Sequence, residues 1–562
     1  MESERPLVKN PLPLILLVIL SGIIILYPNL NFQMYLAEGD HGRDLYSFKK
    51  TFEGALPYRD YLTRNGPLMP YYYSLFYHLF GVSIQSTLLG YNLLILCTGV
   101  MIFLISSTFL PVLMALSCSL WYWAFRGPEF FYTYNHIGAV LGYLTAIYCL
   151  FRSILHQKSP SCLYWGFLSL FLTLLIRPNI GLSSLMAYLA LIGLSRLINV
   201  DRQQRKHILL RTVSVALLII GVVIIIYFIF LYRLPSYVIE EDLNYLRVAQ
   251  FHLIPSALGE LGRIFLNHWT ASWPSLFIGV LVLMAWVRIY FIFKKGVLTI
   301  EEKGKLRFIL ASLFIFILFN LNEFLVSAVW FRYIWVFPLT ILMLFTSLYI
   351  GFAGIRPRLQ MLLTLAFLIA PLFAVYDYHS FVAYAKRSEN LLHIGNNKVY
   401  LSPVQQPWIQ TVSQVTNFII ENVPEKDKLI CIAYCPLYNF LSSRDSPTPD
   451  LSLPGGGKRE EQNLNLIKKA EVPYILLENR AIRSPEWPDS IFSKTFGLKL
   501  SKYLYENYQL IKTIGPFESP AGWIHNHAIQ IYKKSPPHSS NNFKDGNIPS
   551  HGNIQGEVED TR

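Results

Sequence analysis

The chain has 562 residues, of which 53% are hydrophobic, 15% aromatic and only 15% charged, and its mean hydropathy is +0.38. This composition lies outside the range of ordinary soluble domains and predicts a membrane protein. The formal net charge of +13 comes without a clustered basic patch. It therefore argues against a nucleic-acid partner and is typical of a membrane protein with basic cytoplasmic loops.

Apolar runs long enough to cross a hydrocarbon core of roughly 30 Å recur between residues 12 and 376. They predict an α-helical polytopic membrane protein with about eleven spans, within a range of about 11–13. The first span follows a short basic start and lacks a small-residue cleavage site, so we interpret it as an uncleaved anchor. The predicted spans are 12–29, 86–106, 109–125, 136–155, 162–176, 180–198, 209–231, 274–293, 308–320, 334–352 and 360–376.

The aromatic segment 67–83 decides the topology. If it lies along the membrane surface, the loops that carry most of the Lys and Arg residues fall on the same side as the N-terminus, as the positive-inside rule expects. We therefore predict a juxtamembrane helix over 67–83. The expected protein is multi-pass in the plasma (inner) membrane, with a cytoplasmic N-terminus. The first loop, 30–66, and the C-terminal domain are then extracytoplasmic.

Three regions follow from this pattern: a transmembrane domain over 1–376, an extracytoplasmic α/β domain over 377–534, and a Ser-, Asn-, Pro- and Gly-rich tail over 535–562 that we expect to be disordered. In the α/β domain, periodicity predicts helices at 405–421, 463–470 and 490–506, and strands at 428–434, 473–479, 508–514 and 525–533.

The six cysteines give little support for a disulfide or a zinc site. Four lie in predicted spans, where a cysteine is usually a small buried hydrophobe. Cys431 lies on the predicted strand 428–434 and Cys435 directly follows it. On an extended strand, residues four apart are separated by about 13 Å, too far for a disulfide unless a turn intervenes. We therefore expect no bridge there. The four in predicted spans are Cys97, Cys118, Cys149 and Cys162.

The first outside loop is dense in charge. Leu45, Phe48 and Phe52 share one helical face, and Gly54 sits where a helix would end, so an interfacial helix is predicted. Asp40 would lie at its start and Asp60 shortly beyond its end. A solvated loop whose charges pair with each other is the alternative. The charged residues of the loop include Glu38, Asp40, Asp44, Glu53, Asp60, Arg43, Arg59 and Arg64.

At these residues the chain resembles the GT-C class of membrane glycosyltransferases, in the branch of protein O-mannosyltransferases and lipid A aminoarabinose transferases. Many spans, a large first outside loop and a C-terminal extracytoplasmic α/β domain extend the resemblance over nearly the whole chain. His41 departs from it, because many members have glutamate at that position. The resemblance is carried by Asp40, Gly42, Tyr46, Gly54, the run PYRD at 57–60, and Gly66 with Pro67.

The resemblance implies a hexosyl- or pentosyltransferase. It would move a sugar from a polyprenyl-phosphate donor in the membrane lipids to a hydroxyl of a lipid, glycan or protein acceptor. Asp40 would be the general base, and direct displacement would invert the anomeric carbon. Asp60 would orient the acceptor or help to bind a divalent cation; no other cofactor is expected. Asp44 and His41 are supporting candidates, and Asp44 is also the nearest competitor for the role of base.

The leaving group is an anionic lipid phosphate, so a nearby guanidinium would stabilise it. A guanidinium can bind phosphate through two parallel hydrogen bonds. Arg64 is the leading candidate, followed by Arg59 and Arg332. Ionisable groups at the predicted outer ends of spans are weaker candidates, because snorkelling to lipid headgroups explains many of them. Besides Arg332, these are Arg177, Arg263, His268 and Glu323.

Three alternatives stay open. A transporter or flippase for a lipid-linked glycan would place charges at mid-membrane and often show related halves, whereas the acids here cluster in one outside loop. An O-antigen ligase or polymerase type of enzyme usually carries its large loop late in the chain. A binding-only relative without activity is the third, and His41 keeps it open.

Overall fold

The computed structural model describes most of the chain between residues 12 and 536. The described ranges are 12–33, 35–63, 65–125, 134–155, 161–194, 202–232, 300–327, 332, 335–352, 357–374, 390–451, 457–482, 491–519 and 526–536, with isolated positions at 259, 284, 286–287 and 289–290.

The N-terminal two thirds of the described chain is helical. Long apolar helices form its frame, and two shorter ones, α2 and α3, follow the first span. The helices are α1 (Leu12–Leu26), α2 (Asp40–Phe52), α3 (Leu68–Phe80), α4 (Ile84–Ser106), α5 (Val112–Phe125), α6 (His136–Ile154), α7 (Ser161–Ile176), α8 (Pro178–Leu194), α9 (Arg202–Leu231), α10 (Ile300–Asn320), α11 (Asn322–Ser327), α12 (Phe337–Gly351) and α13 (Pro357–Ala374).

This arrangement confirms a helical polytopic membrane protein but not the number of spans. Among the described residues, four helices are long and apolar enough to cross a membrane: Leu12–Leu30, Ile84–Ser106, His136–Ile154 and Val213–Leu231. Other apolar helices have 10–17 residues. At 1.5 Å per residue these extend at most about 25 Å, less than a hydrocarbon core of about 30 Å. The predicted span 274–293 lies almost wholly outside the described residues.

Helix α3 occupies the segment for which a juxtamembrane helix is predicted. Its 13 residues are flanked by Pro67 and by Gly81, which has a φ of 82° that favours glycine. Tyr73 and Tyr77 are buried against the protein, whereas Leu79 is exposed. A helix of this length is about 20 Å long, so it is shorter than the hydrocarbon core. Its position along the membrane surface stays a prediction.

The C-terminal region forms a small α/β domain. A hairpin of β1 (Leu391–Ile394) and β2 (Asn397–Tyr400) precedes a four-stranded sheet in the order β3-β4-β6-β5, in which only the β3–β4 pair is parallel. The remaining elements are α14 (Gln406–Asn422), β3 (Ile430–Ile432), α15 (Leu437–Ser442), α16 (Gly457–Lys469), β4 (Tyr474–Glu478), α17 (Leu498–Asn507), β5 (Tyr508–Ile514) and β6 (Ile529–Lys534).

Each predicted helix and strand of this domain overlaps an observed one, but the helix predicted over 490–506 begins only at Leu498 and the strand predicted over 428–434 covers only Ile430–Ile432. Two elements were not predicted: the β1–β2 hairpin and α15. The expectation for the cysteines was wrong. Cys431 and Cys435 form a disulfide, with their Cα atoms 5.7 Å apart. The strand ends at Ile432, and the chain then turns, so the two cysteines do not lie along one extended segment.

The domain and the membrane helices share one core. On β4, Leu476 faces a cluster that also contains Trp408 and Leu437 of the domain and Val18 and Tyr143 of the membrane helices. Its neighbours Ile475 and Leu477 point to a second, separate core on the opposite face of the sheet. This alternation follows from the two-residue period of a strand. The inner face of the domain is therefore fixed to the rest of the protein.

Candidate active site

Helix α2 lies between α3 and the C-terminal helix α15. Two glycines allow its first turn to approach the domain closely. A Cβ at Gly39 would lie 2.5 Å from the ring of Tyr434, and a Cβ at Gly42 would lie 2.7 Å from the Cα of Leu437. The backbone N–H of Leu437 donates to the carbonyl of Glu38 at 3.2 Å. The predicted interfacial helix is thus covered by the C-terminal domain, and most of its side chains are buried.

Asp40 begins this helix and is hydrogen-bonded from two sides. Its Oδ1 accepts the Tyr434 hydroxyl at 2.6 Å and the Arg43 Nη1 at 3.1 Å. Arg43 Nη1 also donates to the Tyr434 oxygen at 2.8 Å. One carboxylate oxygen is therefore oriented by a guanidinium and a phenol that also bind each other.

Asp44 lies one turn further along and is more completely enclosed. Its Oδ1 accepts the Nε and Nη2 of Arg43 at 3.2 and 3.0 Å, and its Oδ2 accepts the backbone N–H of Tyr134 at 3.3 Å. Burial raises the pKa of Asp44 to about 6, although Arg43 opposes the shift. The side chain is 2% exposed, against 10% for Asp40. Asp44 therefore connects α2 to the residues before α6, while the Asp40 side chain remains more exposed to solvent.

His41 closes the turn that leads into α2. Its Nδ1 accepts the backbone N–H of Ala37 at 3.0 Å, and its ring meets that of Tyr134 edge-on at 5.3 Å. The side chain is buried. An imidazole in this place orders the residues just before Asp40 without adding a second carboxylate beside it.

Asp60 and Arg59 form a local pair rather than joining the Asp40 cluster in the described contacts. Arg59 donates to both carboxylate oxygens of Asp60 at 2.8 and 2.6 Å, and the Asp60 Oδ2 accepts the backbone N–H of Leu56 at 2.8 Å. Both side chains are about one third exposed or more. Their catalytic and phosphate-binding roles stay predictions. Arg64 lies outside the described residues, and its role stays a prediction too.

A group of arginines collects around His136, the first residue of α6. The positive charges of Arg177, Arg332 and Arg43 all act on this imidazole, and its ring lies 4.4 Å from that of Trp335. The guanidinium of Arg177 lies over the Trp335 ring at 5.5 Å and binds the side chain of Asn65 in the first loop.

Arg332 brings an unused donor to this group, because its buried Nε has no hydrogen-bond partner among the described residues. A buried donor without a partner is costly unless a ligand satisfies it. Arg43 links this positive group to Asp40 and Asp44. Three guanidinium groups therefore act on one imidazole at the start of α6, and one of them, Arg43, also pairs with the carboxylates of α2.

A second buried cluster joins the first loop to the domain just before Asp40. Arg480 donates to Glu38 Oε1 at 2.8 Å and to Glu478 Oε1 at 3.3 Å, and Trp408 Nε1 donates to Glu38 Oε2 at 2.8 Å. The Nδ1 of His527 lies 3.7 Å from Glu478 Oε1. Burial raises the pKa of Glu478 well above its usual range. The pKa of Glu38 is lowered despite its burial, by the charges of His527 and Arg480.

This cluster also offers metal-ligand geometry. Single ligand atoms of Glu38, Glu478 and His527 lie within 4.8 Å of one another. The acids already share the guanidinium of Arg480, however, and Trp408 takes the remaining oxygen of Glu38. A divalent cation would have to displace that positive charge. The donor set as it stands therefore fits an internal ion-pair network better than a resident metal.

Three residues at this site were not predicted from the sequence to be functional: Arg43, Tyr434 and Arg480. Arg43 had a signal, because it stands three residues after Asp40 and residues at that spacing meet on a helix. Tyr434 and Arg480 had none, since their partners lie in the first loop, hundreds of residues earlier in the chain.

The fold and the site together define a polytopic membrane protein whose first loop carries a buried carboxylate, held between the membrane helices and a C-terminal α/β domain. No family model matches the chain, and no curated protein sequence matches it significantly. Several solved structures, however, are similar to the chain. The chain is similar to ArnT from Cupriavidus metallidurans in the apo state, at 11% identity and a TM-score of 0.51, over 92% of this chain and 98% of that one.

It is also similar to the oligosaccharyltransferase of Archaeoglobus fulgidus in the apo form, at 12% identity and a TM-score of 0.51, over 89% of this chain and 73% of that one. Both are GT-C glycosyltransferases, so the chain has the GT-C fold and the resemblance seen in the sequence is confirmed at that level. At these identities the likeness establishes the fold and brings no donor, acceptor or catalytic residue with it.

Proposed function

We propose that the protein is an inverting membrane glycosyltransferase that moves a sugar from a polyprenyl-phosphate donor to an acceptor hydroxyl at the extracytoplasmic face. One observation carries the proposal: Asp40, a buried but accessible carboxylate on a GT-C fold, shares Arg43 with a group of arginines that can hold a phosphate. A base and an anion site side by side are what such a transfer requires.

In the proposed reaction, the acceptor oxygen attacks the anomeric carbon while the bond from that carbon to the donor phosphate oxygen breaks. Asp40 takes the hydroxyl proton, a general-base contribution of typically 10²–10⁴-fold in rate. The polyprenyl phosphate leaves with the bonding electron pair. Arg332 and Arg177 would stabilise that charge, since a guanidinium remains positively charged and can bind phosphate through two hydrogen bonds.

The choice of Asp40 over Asp44 follows from their surroundings. Both oxygens of Asp44 are engaged by Arg43 and the Tyr134 backbone, and its side chain is almost fully enclosed. Asp40 is less enclosed and begins the helix. An acceptor hydroxyl could reach Asp40 with a smaller rearrangement.

The disulfide supports the proposed orientation. Disulfides persist in oxidising compartments outside the cytoplasm and are rare inside it. Cys431 and Cys435 belong to the C-terminal domain, so a bridge there favours an extracytoplasmic domain and, with it, an extracytoplasmic site at α2.

A lipid-linked-sugar profile of cells with and without the protein tests the proposal. We expect one polyprenyl-phosphate sugar to accumulate when the protein is absent, and the purified protein to transfer that sugar in vitro. An unchanged profile, together with movement of the lipid across vesicle membranes without transfer, would instead identify a flippase.

A further inference from the structure

We propose that Tyr434, carried on the short disulfide-closed loop between Cys431 and Cys435, is a positioning residue for the Asp40 carboxylate. This inference rests on the proposed function, because it assigns Tyr434 a part in the same transfer reaction. It makes the C-terminal domain a component of the active site and not only its cover.

The hydrogen bonds of Tyr434 give the direct evidence. Its hydroxyl donates to Asp40 Oδ1 at 2.6 Å and accepts from Arg43 Nη1 at 2.8 Å. Burial raises the pKa of Tyr434 well above its usual range, so the phenol keeps its proton and remains a donor. The side chain is only half-buried. Tyr434 therefore orients the carboxylate from the side of the C-terminal domain.

The loop that carries Tyr434 is held from three sides. The disulfide closes it at both ends. The backbone N–H of Tyr434 donates to Glu478 Oε2 at 3.4 Å, which links it to the buried Arg480 cluster. Gly39 leaves room for the Tyr434 ring against the start of α2. Cys431 and Cys435 are both buried, so the bridge is suited to a permanent structural role.

The groups around Asp40 indicate how loss of the Tyr434 hydroxyl would change the pKa and the orientation of this carboxylate. Arg43 and Asp44 face it from its own helix, and Tyr434 faces it from the domain. Hydrogen bonding to a carboxylate stabilises the charged form and lowers its pKa. Without the Tyr434 hydroxyl, the base would be easier to protonate, and its orientation would depend on Arg43 alone among these contacts.

The test compares Tyr434→Phe with the wild-type protein and with Tyr505→Phe, a matched control on an exposed tyrosine of the same domain. Transfer from the polyprenyl-phosphate sugar is measured as kcat against pH. For Tyr434→Phe we expect kcat to fall at least about tenfold and the acidic limb of the profile to move up by about one pH unit. Tyr505→Phe should match the wild type.

The disulfide is tested in a cycle of variants. Cys431→Ser with Cys435→Ser should reproduce the kcat loss and the pH shift of Tyr434→Phe, and adding these changes to Tyr434→Phe should cost little more, because both act through one hydroxyl. Melting temperatures are measured in parallel.

A Tyr434→Phe protein with wild-type kcat and pH profile would overturn the inference while leaving the proposed function intact. So would a lowered melting temperature with no movement of the acidic limb, since that marks a purely structural role. Additive losses in the cycle would overturn the role of the disulfide loop. A wild-type protein with no transfer at all would contradict the proposed function itself, and this inference with it.

Discussion

Two glutamates in the buried cluster should respond very differently to the same substitution. Glu38 and Glu478 both contact Arg480 and are almost fully buried. The pKa of Glu38 is lowered and that of Glu478 is raised well above its usual range, the latter because of burial. As pH rises, Glu38 therefore loses its proton more readily than Glu478, and both acids lie beside the guanidinium of Arg480 and the imidazole of His527.

Glu38→Gln removes the carboxylate whose pKa is lowered and leaves Arg480 less well compensated in the interior. Breaking a buried ion pair in this way typically lowers the free energy of unfolding by about 3–5 kcal/mol. Wherever the raised pKa keeps Glu478 protonated, Glu478→Gln replaces one neutral group by another of the same shape. Its oxygen can still accept from Arg480, so we expect a change below about 1 kcal/mol.

The assay is the melting temperature of both purified variants in one detergent, together with the rate at which a protease cleaves the C-terminal domain. We expect a clear drop and faster cleavage for Glu38→Gln only. Equal losses for the two variants would refute the assignment of charge, and no loss for Glu38→Gln would refute the role of the cluster in joining the domain to the first loop.

The pH dependence gives an independent check. The folded protein holds the Glu478 proton more tightly than the unfolded chain does. As pH rises above the ordinary range of a glutamate, the unfolded chain has already released that proton, so the contribution of Glu478 to stability falls with pH. Glu478→Gln cannot ionise. Its stability relative to the wild type should therefore improve as pH rises toward the raised pKa.

Three further predictions concern topology, packing and the anion site. Gln203→Cys should be labelled only after the membrane is permeabilised, since 196–211 is predicted to be cytoplasmic; labelling in intact cells would contradict that. Gly42→Ala should lower activity at least about tenfold because its Cβ overlaps the Leu437 backbone, whereas Gly193→Ala, which meets nothing within 4 Å, should not. Arg332→Ala should lower kcat by about 10²–10³-fold, with Arg332→Lys recovering little; full activity in both would exclude a phosphate role.

Much of the fold could be predicted from the sequence because the signals were local. Apolar runs located the membrane helices, and the two-residue and 3.6-residue periods located most of the C-terminal domain. Helix α2 was predicted from Leu45, Phe48 and Gly54, and the structure has it at Asp40–Phe52. The number of spans was not confirmed, because several apolar helices are shorter than the runs that contain them.

The contacts that build the site could not be predicted, because they join distant parts of the chain. Nothing near Tyr434 indicates that its hydroxyl binds a carboxylate 394 residues earlier. The disulfide was missed for a related reason: a strand assigned over 428–434 keeps Cys431 and Cys435 apart, and only the turn after Ile432 brings them together. Local periodicity in the sequence does not predict such contacts between distant residues.

The most direct test of the central claim is transfer from a polyprenyl-phosphate sugar by purified wild-type, Asp40→Asn and Asp44→Asn proteins of equal melting temperature. Asparagine has the same shape as aspartate, but its amide cannot take the proton from the acceptor hydroxyl as a carboxylate does. We predict that Asp40→Asn abolishes transfer while donor binding is retained, and that Asp44→Asn keeps measurable activity. Full transfer by Asp40→Asn, or a loss confined to Asp44→Asn, would contradict the assignment of Asp40 as the base.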